Sequence, residues 1–251
     1  MNSLERKRVV VTGAAGGIGS LVVAKLQLAG AFVIGIDRVT CPGCHTSIDA
    51  DLGSEEGLAR IAATLADTRC DILVNLAGVQ YFGPLAEQTP AALWSGYVVN
   101  LIAPAMLVRA VLPAMLARSA GRIVNIGSVF GAIPFAHFAS YSSAKAGLKG
   151  LSDALRREVA GSGVEVTHIA PRAVKTTLAS AKVMEFAAAT GMHMDAPEAV
   201  AARIVAAIAD GTPNVVIGFP ERLFVHVNAL APRLVDRALA ANDRKAAALF
   251  R

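Results

Sequence analysis

Short β-branched runs alternate along this chain with longer stretches of helical length, and that alternation leaves few folds open. Residues 8–12 (RVVVT), 31–37 (AFVIGID), 71–75 (DILVN), 122–127 (RIVNIG), 164–169 (VEVTHI) and 214–218 (NVVIG) read as strands. Residues 17–29, 55–66, 91–118, 140–160 and 197–210 read as helices. Strands that alternate with helices imply βαβ units, hence a parallel sheet with helices on both faces. The strand runs are apolar throughout rather than alternating, which suits strands covered on both sides. Gly and Pro mark turns, but no linker or repeat divides the chain. The expectation is one α/β domain over residues 1–251.

Composition narrows the partners. Hydrophobic residues make up 54% and charged residues 17% of 251, against about 25% charged in an average soluble protein. Such a chain buries enough apolar surface to offset the entropy of ordering, so disorder is excluded. The formal net charge is +5, yet the densest basic run is Arg6-Lys7-Arg8. Without clustered Lys and Arg, nucleic acid is not an expected partner. The apolar stretch 101–117 contains Arg109 and two prolines, so no membrane span is expected. Val9-Val10-Val11 after the basic run stops at Thr12-Gly13, too short for a secretory signal, and the expected location is cytoplasmic.

Three cysteines do not form a disulfide framework. Cys41-Pro42-Gly43-Cys44-His45 matches the c-type haem attachment pattern and, in its C-x-x-C part, a redox dithiol. Haem attachment requires export, and a thioredoxin-like pair opens a helix, which the residues after Cys44 do not suggest. The segment reads as a loop carrying two thiols. No second His/Cys pair offers a zinc site, and no metal is expected.

Thr12-Gly13-Ala14-Ala15-Gly16-Gly17-Ile18-Gly19 joins the first strand to the first helix. Glycines permit a tight turn and close backbone approach to a pyrophosphate. The helix N-terminus beyond it offers free N–H groups and the positive end of its dipole. The spacing is G-x-x-x-G-x-G, and no Lys-Ser/Thr follows, which disfavours a P-loop nucleotidase. Asp37 ends the second strand, 18 residues after Gly19. A carboxylate there accepts hydrogen bonds from ribose hydroxyls and repels a 2′-phosphate, favouring NAD over NADP. Arg38 beside it can stack on adenine or meet a phosphate.

Tyr141 and Lys145 stand at i and i+4, on one helix face. An ammonium fixed beside a phenol lowers its pKa, as does a cationic nicotinamide ring, and a phenol that titrates nearer neutrality serves as acid and base. Ser128 lies 13 residues upstream, at the end of the fourth strand, placed to hold a substrate oxygen.

The combination resembles the short-chain dehydrogenase/reductase family over nearly the full length. The matching pieces are the Thr12–Gly19 loop, Asp37, Asp51-Leu52, Asn75-Leu76-Ala77-Gly78, Asn100, Ser128, Tyr141 and Lys145. The resemblance implies a Rossmann-type doubly wound sheet of order 3-2-1-4-5-6-7, its last strand short. It implies Tyr141 as acid/base, Lys145 on the nicotinamide ribose and lowering the phenol's pKa, and Ser128 on the reacting oxygen. It implies Asn100 holding a water in a proton relay, Asp51 meeting the adenine, and Asn75 supporting the cofactor cleft. It implies a homotetramer or homodimer joined through helices near 101–118 and 140–160. The cofactor-binding set expected from loop and resemblance together is Gly13, Gly16, Gly17, Ile18, Gly19, Asp37, Arg38, Asp51, Leu52, Asn75, Ala77, Gly78, Tyr141, Lys145, Pro171 and Thr176.

One position departs from the family pattern. After the fifth strand the family has Pro-Gly and then a Thr for the nicotinamide carboxamide; this chain keeps Pro171 and Thr176 but has Arg172 in place of the glycine. Either the loop takes another path or Arg172 reaches an anionic part of substrate or cofactor. Segments 129–138 and 178–195 are expected to line the substrate site, through Phe130, Phe135, Phe138, Met184, Phe186, Met192 and Met194. Aromatic rings and adaptable Met suit a medium-sized hydrophobic secondary alcohol or ketone; the same residues also suit ordinary core packing. His137 and His193 could contact polar groups there. The amphipathic stretch 220–236 is expected to dock a neighbouring subunit rather than close the pocket or touch a membrane. The rival readings are an NADPH-dependent 3-oxoacyl reductase and a non-catalytic dinucleotide-binding sensor.

Overall fold

The structure is a computed structural model and describes residues 4–250. Its strands are β1 (Arg8–Thr12), β2 (Phe32–Asp37), β3 (Thr46–Asp49), β4 (Ile72–Asn75), β5 (Gly121–Ile126), β6 (Val164–Pro171) and β7 (Asn214–Ile217). They form one sheet in the order β3-β2-β1-β4-β5-β6-β7, every neighbouring pair parallel. The doubly wound α/β topology expected from the sequence is the one observed.

Residues alternate between two cores. In β1, Val9 and Val11 face one side while Val10 faces the other; in β4, Ile72 and Val74 oppose Leu73. The first side is covered by α1 (Gly19–Leu28) and α7 (Pro197–Asp210), through Val22, Leu26, Ile204 and Ile208. The second is covered by α2 (Glu55–Ala66), α4 (Ala103–Ala117) and the end of α5 (Ala139–Glu158), through Ile61, Leu107, Met115 and Leu155. Two buried faces therefore account for the unbroken apolar strand runs.

Three features depart from the sequence pattern. Strand β3 completes the seven-strand order that the resemblance implies, but no apolar run marks it in the sequence. It is an edge strand paired only with β2, and its residues TSID are half-buried or exposed, so burial selects no apolar run there. The expected helix 91–118 is broken into α3 (Pro90–Tyr97), a π turn over Val98–Ile102, and α4. The run Pro90–Ala117 is long and apolar enough to cross a membrane, but half of its most apolar window is buried within the fold, where Ala103, Leu107 and Val111 pack beneath the sheet. Finally, α6 (Ala181–Thr190), α8 (Glu221–Leu230) and α9 (Pro232–Ala248) are helices beyond the five that the sequence pattern marks. Phe219, Leu223, Phe224, Leu230 and Leu234, around α8 and the start of α9, remain exposed.

Candidate active site

A cavity of about 550 Å³ opens at the carboxyl ends of the strands. This is where an open α/β sheet leaves a crevice, because the chain order reverses between β1 and β4. Its walls include Gly13, Gly16, Gly17, Ile18, Gly19, Asp37, Arg38, Asp51, Leu52, Ala77, Gly78, Ser128, Tyr141, Lys145, Pro171 and Thr176.

The glycine turn packs too closely against its neighbours to admit side chains. Gly13 has φ +68°, and a Cβ there would lie 2.8 Å from the Ala77 Cα. A Cβ on Gly19 would lie 1.9 Å from the Gly13 carbonyl oxygen, and one on Gly17 3.1 Å from the Thr176 Cβ. The first turn of α1 carries no acidic residue, and among the described residues no side chain caps it. Within that turn the Ser20 N–H donates to the Gly16 carbonyl at 3.0 Å, and the positive end of the helix dipole faces the glycine turn. The Thr12 hydroxyl accepts hydrogen bonds from the Leu76 and Ala77 N–H groups at 3.0 and 3.1 Å, holding the 76–78 segment opposite the turn. At the far end, Asp37 accepts from the Ala15 N–H (2.9 Å) and the Arg38 N–H (2.7 Å). The Asp51 carboxylate accepts from the Gly53 N–H at 2.8 Å. A glycine turn on the cleft wall, a helix terminus without a side-chain cap and a carboxylate at the end of β2 fit a dinucleotide.

Asn75 is not a wall of this cleft. It lies one residue below, buried in the sheet, where its Nδ2 donates to the Asn125 Oδ1 at 2.8 Å. Asn125 in turn donates to the Ser152 hydroxyl at 2.9 Å, and Ser152 to the Leu148 carbonyl. This chain ties β4, β5 and α5 together. Neither Asn125 nor Ser152 carries a signal in the sequence, since each is a single polar residue within its element.

Helix α5 presents Tyr141 and Lys145 one turn apart, both buried. Ser128 follows β5; its hydroxyl accepts from the Phe130 N–H at 3.1 Å, and it lines the same cavity as Tyr141. The Lys145 ammonium donates to the Ile126 carbonyl at 2.9 Å and lies 5.9 Å from the centre of the Tyr141 ring. Asn100 sits in the π turn. Its Nδ2 donates to the Val79 and Gly96 carbonyls at 2.7 and 2.8 Å, and its Oδ1 accepts from the Val79 N–H at 3.3 Å. It too is absent from the cavity wall, yet it reaches the Gly78 side of the cluster: a Cβ on Gly78 would lie 3.0 Å from the Asn100 Oδ1 and 3.7 Å from the Lys145 Nζ.

Burial acts against the expected acidity of the phenol. It pushes Tyr141 up to about 12, against the opposing pull of the Ser128 hydroxyl. Burial lowers Lys145 to about 8. Desolvation wins because the ammonium points to the Ile126 carbonyl rather than to the phenol. Burial thus disfavours the charged form of both groups.

Arg172 carries no left-handed strain: among the described residues, the non-glycine positions with positive φ are Arg6, Ser119 and His137. Its guanidinium grips Asp195 through two hydrogen bonds (2.9 and 2.8 Å) and Glu221 through one (3.0 Å), and donates to the Phe219 carbonyl at 3.1 Å. It thus pairs with carboxylates of this chain. The Arg172 hydrogen bonds hold the Asp195 carboxyl below its ordinary range.

On the substrate side, Phe130, Phe138, Val183, Met192 and Met194 line the cavity. Phe135 and Phe186 pack behind them, and Met184 is exposed, so these three do not line it. Phe82 is an unforeseen member. Its ring lies 4.4 Å from Phe138, 5.2 Å from Phe186 and 5.0 Å from Phe250. His137 stacks on Phe250 at 5.1 Å, and His193 is exposed and paired with Asp195. His168, also unforeseen, is buried in β6 against Gly127: a Cβ there would lie 2.2 Å from its Nε2. A lone histidine inside a strand run carries no sequence signal. Among the described residues, no group of three His, Cys, Asp or Glu side chains is placed to hold a metal ion.

A family model described as short chain dehydrogenase matches residues 7–185. The chain is 30% identical over 257 residues to the ketoacyl reductase HetN of Nostoc sp., covering 94% of this chain and 89% of that protein. A crystal structure of a short-chain dehydrogenase from Streptomyces avermitilis superposes with a TM-score of 0.78 at 29% identity, covering 96% of this chain and 99% of the other. A metagenomic short-chain oxidoreductase in complex with NADP gives a TM-score of 0.69 at 32% identity, covering 86% and 98%.

Proposed function

Because the chain belongs to the short-chain dehydrogenase family, whose members are NAD(P)-dependent oxidoreductases of CH–OH groups, we propose that it interconverts a medium-sized hydrophobic secondary alcohol and its ketone with NAD(H). The observation that carries this reading is the junction of half-buried Ser128 and buried Tyr141 and Lys145 with an apolar wall at one end of the dinucleotide cleft. The bound dinucleotide supplies the hydride chemistry.

The chain's own residues do the rest. The Ser128 hydroxyl fixes the substrate oxygen beside the phenol. The Tyr141 hydroxyl gives its proton to that oxygen in reduction and receives it in oxidation. The Lys145 ammonium, held by the Ile126 carbonyl, supplies positive charge that steadies the phenolate. Asn100 acts as a positioning residue: its amide hydrogens are given to the Val79 and Gly96 carbonyls, which fixes the Gly78–Val79 backbone beside Lys145. Phe130, Phe138, Met192 and Met194 exclude water and select an apolar substrate. Preference for NAD is supported by Asp37, whose carboxylate lines the cleft where a 2′-phosphate would lie.

A second reading is an NADPH-dependent 3-oxoacyl reductase. It is favoured by Arg38, a cation at the same end of the cleft, and by the name of the Nostoc relative. One experiment separates the readings: binding of NADH and NADPH, with turnover on alcohols, ketones and 3-oxoacyl thioesters, in wild type and Tyr141→Phe. The proposal expects tighter NADH binding, turnover of apolar ketones, and loss of nearly all turnover in Tyr141→Phe with the dinucleotide still bound. Normal turnover in that variant would refute the acid/base role. Absence of turnover in wild type with intact binding would favour a dinucleotide sensor.

A further inference from the structure

We propose that Cys41 and Cys44 form a reversible disulfide that adjusts the adenosine end of the dinucleotide cleft. The two residues close a four-residue turn between β2 and β3: the Cys44 N–H donates to the Cys41 carbonyl at 3.1 Å, with Pro42 and Gly43 at its centre. Such a turn holds its outer Cα atoms within about 7 Å, close to the span of about 4.4–6.8 Å that a disulfide bridges. The sulfurs already meet, the Cys44 thiol donating to the Cys41 sulfur at 2.7 Å. Cys44 is half-buried and Cys41 is buried, so one sulfur is open to a reagent while the other waits behind it. Burial, Cys41 and Asp37 push the Cys44 thiol up to about 12, so little thiolate is present near neutrality and exchange is slow.

The pair is connected to the cleft. The Cys41 thiol donates to the Ala14 carbonyl at 3.6 Å, inside the turn that follows β1. The next residue, Ala15, donates its N–H to Asp37. Gly35 of β2 makes the contact possible: a Cβ there would lie 2.3 Å from the Cys44 sulfur and 2.9 Å from the Ala14 Cβ.

The oxidant is a low-molecular-weight disulfide. The Cys44 sulfur attacks it, its S–S bond breaks, and one small thiol leaves from a mixed disulfide. The Cys41 sulfur then displaces the second small thiol from Cys44. The two cysteine protons end on the two departing thiols, the cysteine pair loses two electrons, and the reagent gains them. Cys41 thereby loses its S–H, and the Ala14 carbonyl loses its donor. A thiol is a weak donor, so the oxidised protein is expected to bind dinucleotide about 3-fold more weakly.

The test treats the full chain with oxidised glutathione or with dithiothreitol, alkylates the free thiols and maps the 41–44 peptide by mass spectrometry. NADH and NADPH are titrated against both forms by fluorescence. Cys41→Ser, which keeps a hydroxyl donor facing Ala14, and Cys44→Ser serve as controls. The expected result is an internal Cys41–Cys44 bond, weaker binding of whichever dinucleotide the protein takes, recovery with dithiothreitol, and no response of affinity to oxidised glutathione in either variant. Two alkylated cysteines after oxidation, a glutathione adduct that persists on Cys44, or equal affinity of the two forms would overturn the proposal. The peptide map does not depend on cofactor choice, so its failure is distinct from failure of the NAD reading.

Discussion

At the scale of single residues, the cleft depends on missing atoms. Gly13, Gly17 and Gly19 are not equivalent. The absent Cβ of Gly19 would overlap the Gly13 carbonyl oxygen at 1.9 Å, a backbone atom that cannot swing away, whereas that of Gly17 would meet the Thr176 side chain at 3.1 Å. Gly19→Ala is therefore expected to weaken dinucleotide binding by at least about tenfold, about 1.4 kcal/mol. Gly17→Ala is expected to weaken it less, because Thr176 can shift by a few tenths of an ångström. Titration of both variants with NADH and NADPH, with circular dichroism to show retained structure, decides the order; the reverse order would contradict this geometry. The same logic of atoms and neighbours bears on the phenol. Sequence spacing puts Lys145 one turn from Tyr141, but the direction of the ammonium is set by the Ile126 carbonyl, and spacing does not record it.

At the scale of elements, Arg172 is a joint. It stands just after β6, Asp195 lies just before α7, and Glu221 opens α8, so one guanidinium binds three parts of the chain. The loop between them carries Thr176 and the cavity-lining Met192 and Met194. Removing the cation leaves two partly buried carboxylates without their partner. Arg172→Gly is expected to cost roughly 2 kcal/mol in unfolding stability, between an exposed and a buried pair. It is also expected to weaken dinucleotide binding severalfold by releasing Thr176. Urea unfolding and NADH titration of the variant measure both; unchanged values would show that the loop holds itself. This joint was invisible in the sequence because its acidic partners lie 23 and 49 residues away. What the sequence did reveal was a departure at that position, since an arginine stood where the family pattern places glycine.

At the scale of the whole molecule, stability is tied to pH through His168. Burial, with Lys149 and Lys145 nearby, lowers its pKa from 6.5 to about 4. The unfolded chain takes up a proton near pH 6.5 that the folded chain refuses until about 4. Stability is therefore fully present above 6.5 and falls as pH drops through this window, by roughly 2–3 kcal/mol at pH 4.5. Urea unfolding at pH 7 and 4.5 should show this loss in wild type and a smaller one in His168→Asn. An equal loss in both would place the acid sensitivity elsewhere.

The sequence by itself determined the order and kind of most elements, the glycine turn, Asp37 and the Ser128–Tyr141–Lys145 set. Each of these rests on local physics: burial on two faces selects unbroken β-branched runs, close approach selects glycine, and a helix turn pairs residues four apart. Tertiary structure alone decided the rest. It made a strand of polar TSID at the sheet edge, because pairing with β2 needs backbone groups and not apolar side chains. It broke the long helix at a π turn, turned Asn75 into the floor beneath the cleft, and brought Phe82 and Phe250 into one aromatic cluster. These features depend on contacts between residues distant in the chain, and a linear pattern carries no measure of such distances.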